Sequence, residues 1–151
     1  MRCRYDGRDR DMAVRAIRGA TSVSENSAAE ILSRTRTMVQ TAIQANGVAP
    51  EDIVSIVFVV TPDLDAVFPA RAAREMGLAG VPLLDMVSPS VRGAMPRLVR
   101  MLLTWNTDRD QGSLAHVYLG EAEALRPDLV ERSRSSLGTA REGGDPHWSS
   151  S

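Results

Sequence analysis

Lysine is absent from this chain, and all 18 of its basic residues are arginine. An isolated arginine is therefore partly a compositional habit, and only arginines set in a wider pattern carry functional weight. Cysteine is nearly absent too. The lone Cys3 excludes an intrachain disulfide. No charged segment, apolar stretch and cleavage site open the chain, so a reducing cytoplasmic setting is expected, with Cys3 idle. Aromatic residues make up only 4%. The core must then come from Val, Ile, Leu, Met and Ala in a domain of limited burial capacity, and burial between subunits would add to it. The formal net charge of −1 leaves no basic excess, which argues against nucleic acid or an anionic membrane as partner. The longest apolar run, Ile53 to Val60, is interrupted by Ser55 and falls far short of a membrane span. There is no P-loop, dinucleotide fingerprint, G-x-S-x-G elbow or Cys/His metal spacing, and His116 and His147 are the only histidines. Most hydrolase and metalloenzyme readings fall away, and His116, beside Tyr118 on an alternating segment, reads as structural.

What remains is 151 residues with 43% hydrophobic and 25% charged side chains, the make-up of one globular domain. Residues 1–11 are dense in charge without periodicity, which predicts a disordered extension with Met12 as the working start. Residues 13–19 read as a short strand ending at Gly19, with Arg18 at its exit. Ser27 and Glu30 form a capping-box signature ahead of an apolar helical stripe through Ile31, Met38, Val39, Ala42 and Ile43 that stops at Asn46-Gly47. Pro50 to Asp52 suggests one helical turn, and Ile53 to Val60 a strand buried on both faces. Pro69 to Met76 reads as a short helix ahead of Gly77, Val81 to Met86 as a short strand, and Val87 to Pro96 as irregular. Leu98 to Trp105 is ambiguous by periodicity; its Thr and Trp and the turn signals after it favour a strand. Leu114 to Leu119 alternates, placing His116 and Tyr118 on one face. Pattern is lost after Arg126-Pro127-Asp128, so 12–129 is expected to fold and 130–151 to form a disordered tail rich in Ser, Arg and Gly. The result is an α/β or α+β domain with a mixed sheet, one long helix and short ones.

Three segments in order, RAIRGATSV at 15–23, TPDLDAVFPARAARE at 61–75 and HVYLGEAEALRPDL at 116–129, together with Val81-Pro82 and LTWNTD at 103–108, resemble the AroH-class monofunctional chorismate mutases. The resemblance spans about Met12 to Leu129. It implies a pseudo-α/β barrel formed as a homotrimer with active sites between subunits. It also implies isomerisation of chorismate to prephenate, on the way to phenylalanine and tyrosine, with no metal or other cofactor and no covalent intermediate. Such a site must hold a flexible dianion in its compact conformer and stabilise negative charge developing on the ether oxygen, work suited to the planar, always-protonated guanidinium.

The resemblance places the family's two key arginines on Arg18 and Arg100, with Arg100 also reaching the ether oxygen. Tyr118 takes the place of a carboxylate-binding tyrosine. Phe68, Ala70, Leu83, Leu84 and Leu125 stand for apolar walls, and Arg71, Arg74 and Arg126 for basic residues about the mouth. Without the resemblance, Arg100 within LVRMLLTW reads as an edge or interface arginine, and Phe68 and the leucines as core. Arg109, Arg132 and Arg134 read as solvated. One departure stands out: where the family usually has a Glu that binds the ring hydroxyl, this chain has Ser88. Asp85, three residues earlier at a usually neutral position, is expected to replace it, the plain alternative being that Asp85 pairs with a nearby arginine. Ser88 keeps alive a non-catalytic chorismate-binding homologue, and a mutase of specialised metabolism acting on a modified chorismate is the other alternative.

Overall fold

The computed structural model describes residues 12–138. Strand β1 (Ala13–Ser22) leads to helix α1 (Ala28–Asn46), a 3₁₀ turn (Pro50–Asp52) and strand β2 (Ile53–Val60). Helix α2 (Ala70–Ala73) runs on as a π turn to Leu78, ahead of strands β3 (Leu83–Val87) and β4 (Leu98–Thr107). A 3₁₀ turn (Gln111–Ser113), strand β5 (Val117–Leu119), a further 3₁₀ segment (Gly120–Leu125) and helix α3 (Pro127–Gly138) complete it. The sheet order is β3-β2-β4-β1-β5. Its centre is antiparallel, β2 and β1 flanking β4, while β3 and β5 add in parallel at the two edges. This is the mixed α+β architecture expected, with Leu98 to Trp105 a strand. Among the described residues no helix is long and apolar enough to cross a membrane.

Helix α1 forms where the caps and the apolar stripe agree. The Ser27 side chain accepts the Glu30 N–H at 3.3 Å, whereas the Glu30 carboxylate accepts the Ser24 hydroxyl at 2.9 Å rather than the Ser27 N–H, so the capping box is closed on one side only. Gly47, at φ 65°, ends the helix in the left-handed region, and both it and Val48 donate to the Ile43 carbonyl. The stripe Ile31, Thr35, Met38, Val39, Ala42 packs on one face of the sheet, against Ile17, Ile56, Phe58, Met101 and Leu103.

Four expectations need correction. Strand β1 does not end at Gly19; it pairs with β4 through ten positions, from Ala13 opposite Thr107 to Ser22 opposite Leu98, so Arg18 lies inside the strand. Gly19 is there for close approach: a Cβ would stand 2.9 Å from the Met101 methyl and 3.0 Å from the Met38 sulfur. Strand β2 is buried on one face only, because α1 covers a single side of the sheet; Val54 is 40% exposed and Val57 and Val59 are half-buried. Arg109 is no solvated side chain. It donates to the carbonyls of Asn46 and Ser113, each at 2.8 Å, tying the end of α1 to the 111–113 turn. Finally, α3 carries helix on to Gly138, so a boundary at residue 129 falls inside a helix. Residues 1–11 and 139–151, where extension and tail were expected, lie outside the described residues.

Candidate active site

The register sorts the candidate residues that lie on strands onto one face of the sheet or the other. Residues directly opposite on neighbouring strands share a face. Opposite Arg18 stands Leu102, then Val57, then Leu84. The next row reads Tyr118, Ala20, Arg100, Val59 and Met86. Both rows lie on the face that α1 leaves open, where Leu84, Met86 and Leu102 are 56%, 50% and 42% exposed. Asp85 belongs to the opposite face, in line with the fully buried Phe58.

On the open face Arg18, Arg100, Tyr118, Leu125 and Arg126 line one cavity of about 520 Å³, with Ala20, Val59 and Leu102 among its walls. Its roof is a small second core in which Tyr118 packs with Ala20, Leu98 and Ala122, buttressed by Leu125 and Leu129. Among the described residues the Arg18 and Arg100 guanidinium groups and the Tyr118 hydroxyl have no hydrogen-bond or ion-pair partner. Arg126, at the rim, is held bidentately by Asp128 at 3.0 and 2.8 Å. That pairing pushes the Asp128 carboxyl down to about 2 and raises Arg126 above its ordinary value. Two unneutralised guanidinium groups in neighbouring rows of adjacent strands, with a phenol beside them, form a site for a compact anion carrying more than one acidic group.

At the β3 edge a second cavity of about 550 Å³ is lined by Phe68, Arg71, Arg74 and Asp85, together with Val67, Met86 and Val87. Asp85 Oδ1 accepts the Ala70 backbone N–H at 3.0 Å. Burial pushes its carboxyl above the ordinary value, outweighing that hydrogen bond and the attraction of Arg74. Arg71 is engaged with Glu75 at 2.8 Å, and Arg36 shares the same carboxylate at 3.1 Å. Ala70 is buried in the core, lines neither cavity, and meets Asp85 through its backbone N–H. Leu83 packs against the main core, and Leu84 lies on the open face outside both cavities. Ser88 stands just past β3, its N–H donating to Val60 O at 2.8 Å, and lines neither cavity. The thirteen candidates are thus split: five about Arg100, four about Asp85, and four outside both cavities.

A profile of the chorismate mutase type I family matches residues 14–129, which takes in both cavities. The chain belongs to the chorismate mutase type I family. It is 45% identical over 117 residues to the chorismate mutase AroH of Thermus thermophilus, an alignment covering 77% of this chain and 96% of that one. It is 42% identical over 127 residues to the Bacillus subtilis (strain 168) chorismate mutase AroH, covering 83% and 100%. A chorismate mutase structure from Clostridium thermocellum superposes with a TM-score of 0.71 at 44% identity, over 72% of this chain and 97% of its own.

Sequence reasoning missed two features of this chorismate mutase. The walls supplied by Val59 and Leu102 to the Arg100 cavity and by Met86 to the Asp85 cavity escaped it, because an apolar segment by itself does not reveal which alternate residues a helix leaves bare. The place of His116 escaped it as well. Its Nδ1 accepts the Arg18 backbone N–H at 2.9 Å, and the alternation that set His116 beside Tyr118 was the available signal.

Proposed function

We infer that this protein is an isomerase that converts chorismate to prephenate in aromatic amino-acid biosynthesis, using Arg100 and Arg18 as its chief catalytic groups. The observation that carries the reading is the pair of guanidinium groups that share one cavity with Tyr118 and have no partner among the described residues. Chorismate bears two carboxylates and an ether oxygen that gains negative charge as its C–O bond breaks ahead of C–C bond formation. Arg18 and the Tyr118 hydroxyl grip carboxylate oxygens and hold the enolpyruvyl arm over the ring. Arg100 donates to a carboxylate and to the ether oxygen, where its charge counts for more in the transition state than in the ground state. The reaction is an internal shift of electron pairs with no proton lost or gained, so no nucleophile or base is required.

The reading includes a homotrimer whose sites are shared between chains. What supports it is the split of the candidates: Asp85 faces away from Arg100 across one sheet, so no single small dianion bridges them within a chain. A neighbouring copy that lays its Asp85 edge over this open face brings Phe68, Arg71, Arg74 and Asp85 to the arginines. Asp85 then accepts the substrate's ring hydroxyl and offsets positive charge on the breaking ring, the task for which Ser88 has no carboxylate.

Loss of chorismate absorbance on adding the purified protein, with Arg100→Ala alongside, tests the reading. Turnover that the variant abolishes is the expected result. Tight chorismate binding without turnover would instead leave a binding protein on a mutase scaffold, and turnover confined to amino analogues of chorismate would point to specialised metabolism.

A further inference from the structure

The geometry points to His116 as the positioning residue for Arg18, its imidazole standing in for a main-chain acceptor where strand β5 has not yet begun. The β1–β5 ladder starts at Gly19 opposite Val117 and runs to Thr21 opposite Leu119. One step before it, the Arg18 N–H meets the His116 ring nitrogen Nδ1 at 2.9 Å instead of a carbonyl. The backbone that launches the Arg18 guanidinium is therefore held on its β5 side by a side chain. Only an imidazole with Nδ1 unprotonated can accept this bond, so the neutral ring is the working form.

The surroundings favour the neutral ring. Burial first, then Arg18, then Arg126 push the imidazole below its usual value of 6.5. Among the described residues, the other charged or titratable groups lining the groove at His116 are Tyr118 on its own strand and Glu123 and Arg134, the last two paired at 3.5 Å. Helix α1 contributes only uncharged Thr41 and Ala45 there, and Asp128 is engaged with Arg126. Protonation removes the acceptor and leaves the Arg18 N–H without its bond, so Arg18 loses its set point. Misplacement of a positioning group by about 1 Å can cost on the order of a hundredfold in rate.

This inference rests on Arg18 belonging to the site, so Arg18→Ala is measured beside the His116 variants. His116→Asn puts an amide oxygen near the place of Nδ1 and does not titrate; His116→Leu keeps bulk and removes the acceptor. The readouts are kcat/KM for chorismate from roughly pH 5 to 9 and the thermal unfolding of each variant. Wild type is expected to lose kcat/KM on the acid side of the ordinary imidazole range. Asn should flatten that limb while recovering most of what Leu loses, and Leu should fall roughly tenfold at every pH, about the worth of one hydrogen bond. A folded Leu variant with the wild-type rate, or an acid limb unchanged in Asn, would overturn the inference; if Leu does not fold, the Asn profile decides alone. An Arg18→Ala enzyme at full rate would instead overturn the assignment of Arg18, a different outcome from a crippled Arg18→Ala beside indifferent His116 variants.

Discussion

Asp85 and Arg100 project from opposite faces of one sheet, Asp85 in line with buried Phe58 and Arg100 in line with half-buried Val59. With strands about 4.8 Å apart and β2 between them, their backbones are roughly 10 Å apart even before the side chains diverge. A shared active site then requires two copies of the chain. Mixing subunits tests this without any structure. Arg100→Ala and Asp85→Ala chains, each impaired alone, should on co-refolding regain roughly a quarter of the wild-type sites, those taking an intact arginine from one chain and an intact aspartate from the next. No recovery in a confirmed trimer would confine each site to one chain, and a stable monomer by light scattering would remove the basis of sharing.

Arg100 is exposed on the open face of β4. Its replacement by Ala should therefore leave the unfolding temperature within the scatter expected of surface changes. The same change should lower kcat by at least about 10²–10³, by analogy with removal of an oxyanion-hole donor. Steady-state kinetics beside a thermal melt separates the two. A large drop in the melt would mean that Arg100 serves the fold.

Asp85 is expected to set function against stability. Its carboxyl is raised above the ordinary 3.8 chiefly by burial, so the folded state holds the proton more tightly than the unfolded one. Stability from this group is then present at low pH and is lost as pH rises from 3.8 through the raised value. Asp85→Asn keeps an oxygen for the Ala70 N–H and removes the charge from this half-buried position. The variant should melt higher than wild type at neutral pH, converge with it in acid, and turn over chorismate more slowly. Full activity in Asp85→Asn or Asp85→Ala would return Asp85 to the status of a carboxylate paired with Arg74.

Gly120 carries the turn from β5 into the segment that presents Leu125 and Arg126. Its φ is 61°, and an added Cβ would collide with the Ser22 hydroxyl and stand 3.2 Å from an Arg34 guanidinium nitrogen. Gly120→Ala should cost ~1–2 kcal/mol from the left-handed backbone alone, with more from displacing Ser22, whose hydroxyl accepts the Glu121 N–H at 3.0 Å. Denaturant unfolding measures the cost. KM should rise as the wall formed by Leu125 moves.

Much of the fold was legible because local signals and tertiary needs agree in it. Ser27, Gly47 and the stripe from Ile31 to Ala42 mark α1 on the chain itself, and the ordered segments around RAIRGAT, VFPA and HVYL led to the family. Less was legible wherever a partner element decides. Gly19 reads as a strand end until Met101 and Met38 are seen pressed against it, and β2 reads as doubly buried because valines on a bare face look the same as valines under a helix. Arg109 reads as solvated because the Asn46 and Ser113 carbonyls it binds come from a turn and a helix end that no periodicity brings together.

The amino-acid sequence by itself determined the chemistry on offer: arginine as the sole basic side chain, a tyrosine, one aspartate where the family is neutral, and no nucleophile with a base. Alternation from Leu114 to Leu119 also settled that His116 and Tyr118 share a face. Only the tertiary structure decided which face. The β1–β4 register sets Arg18 and Arg100 in neighbouring rows of the uncovered surface, the β2–β3 register places Asp85 behind the sheet, and the approach of β5 to β1 draws His116 against the Arg18 backbone. The physical reason is that hydrogen-bond register and the one-sided cover of α1 are properties of pairs of elements, and pairing is decided by packing across the chain, beyond the reach of any local run of residues.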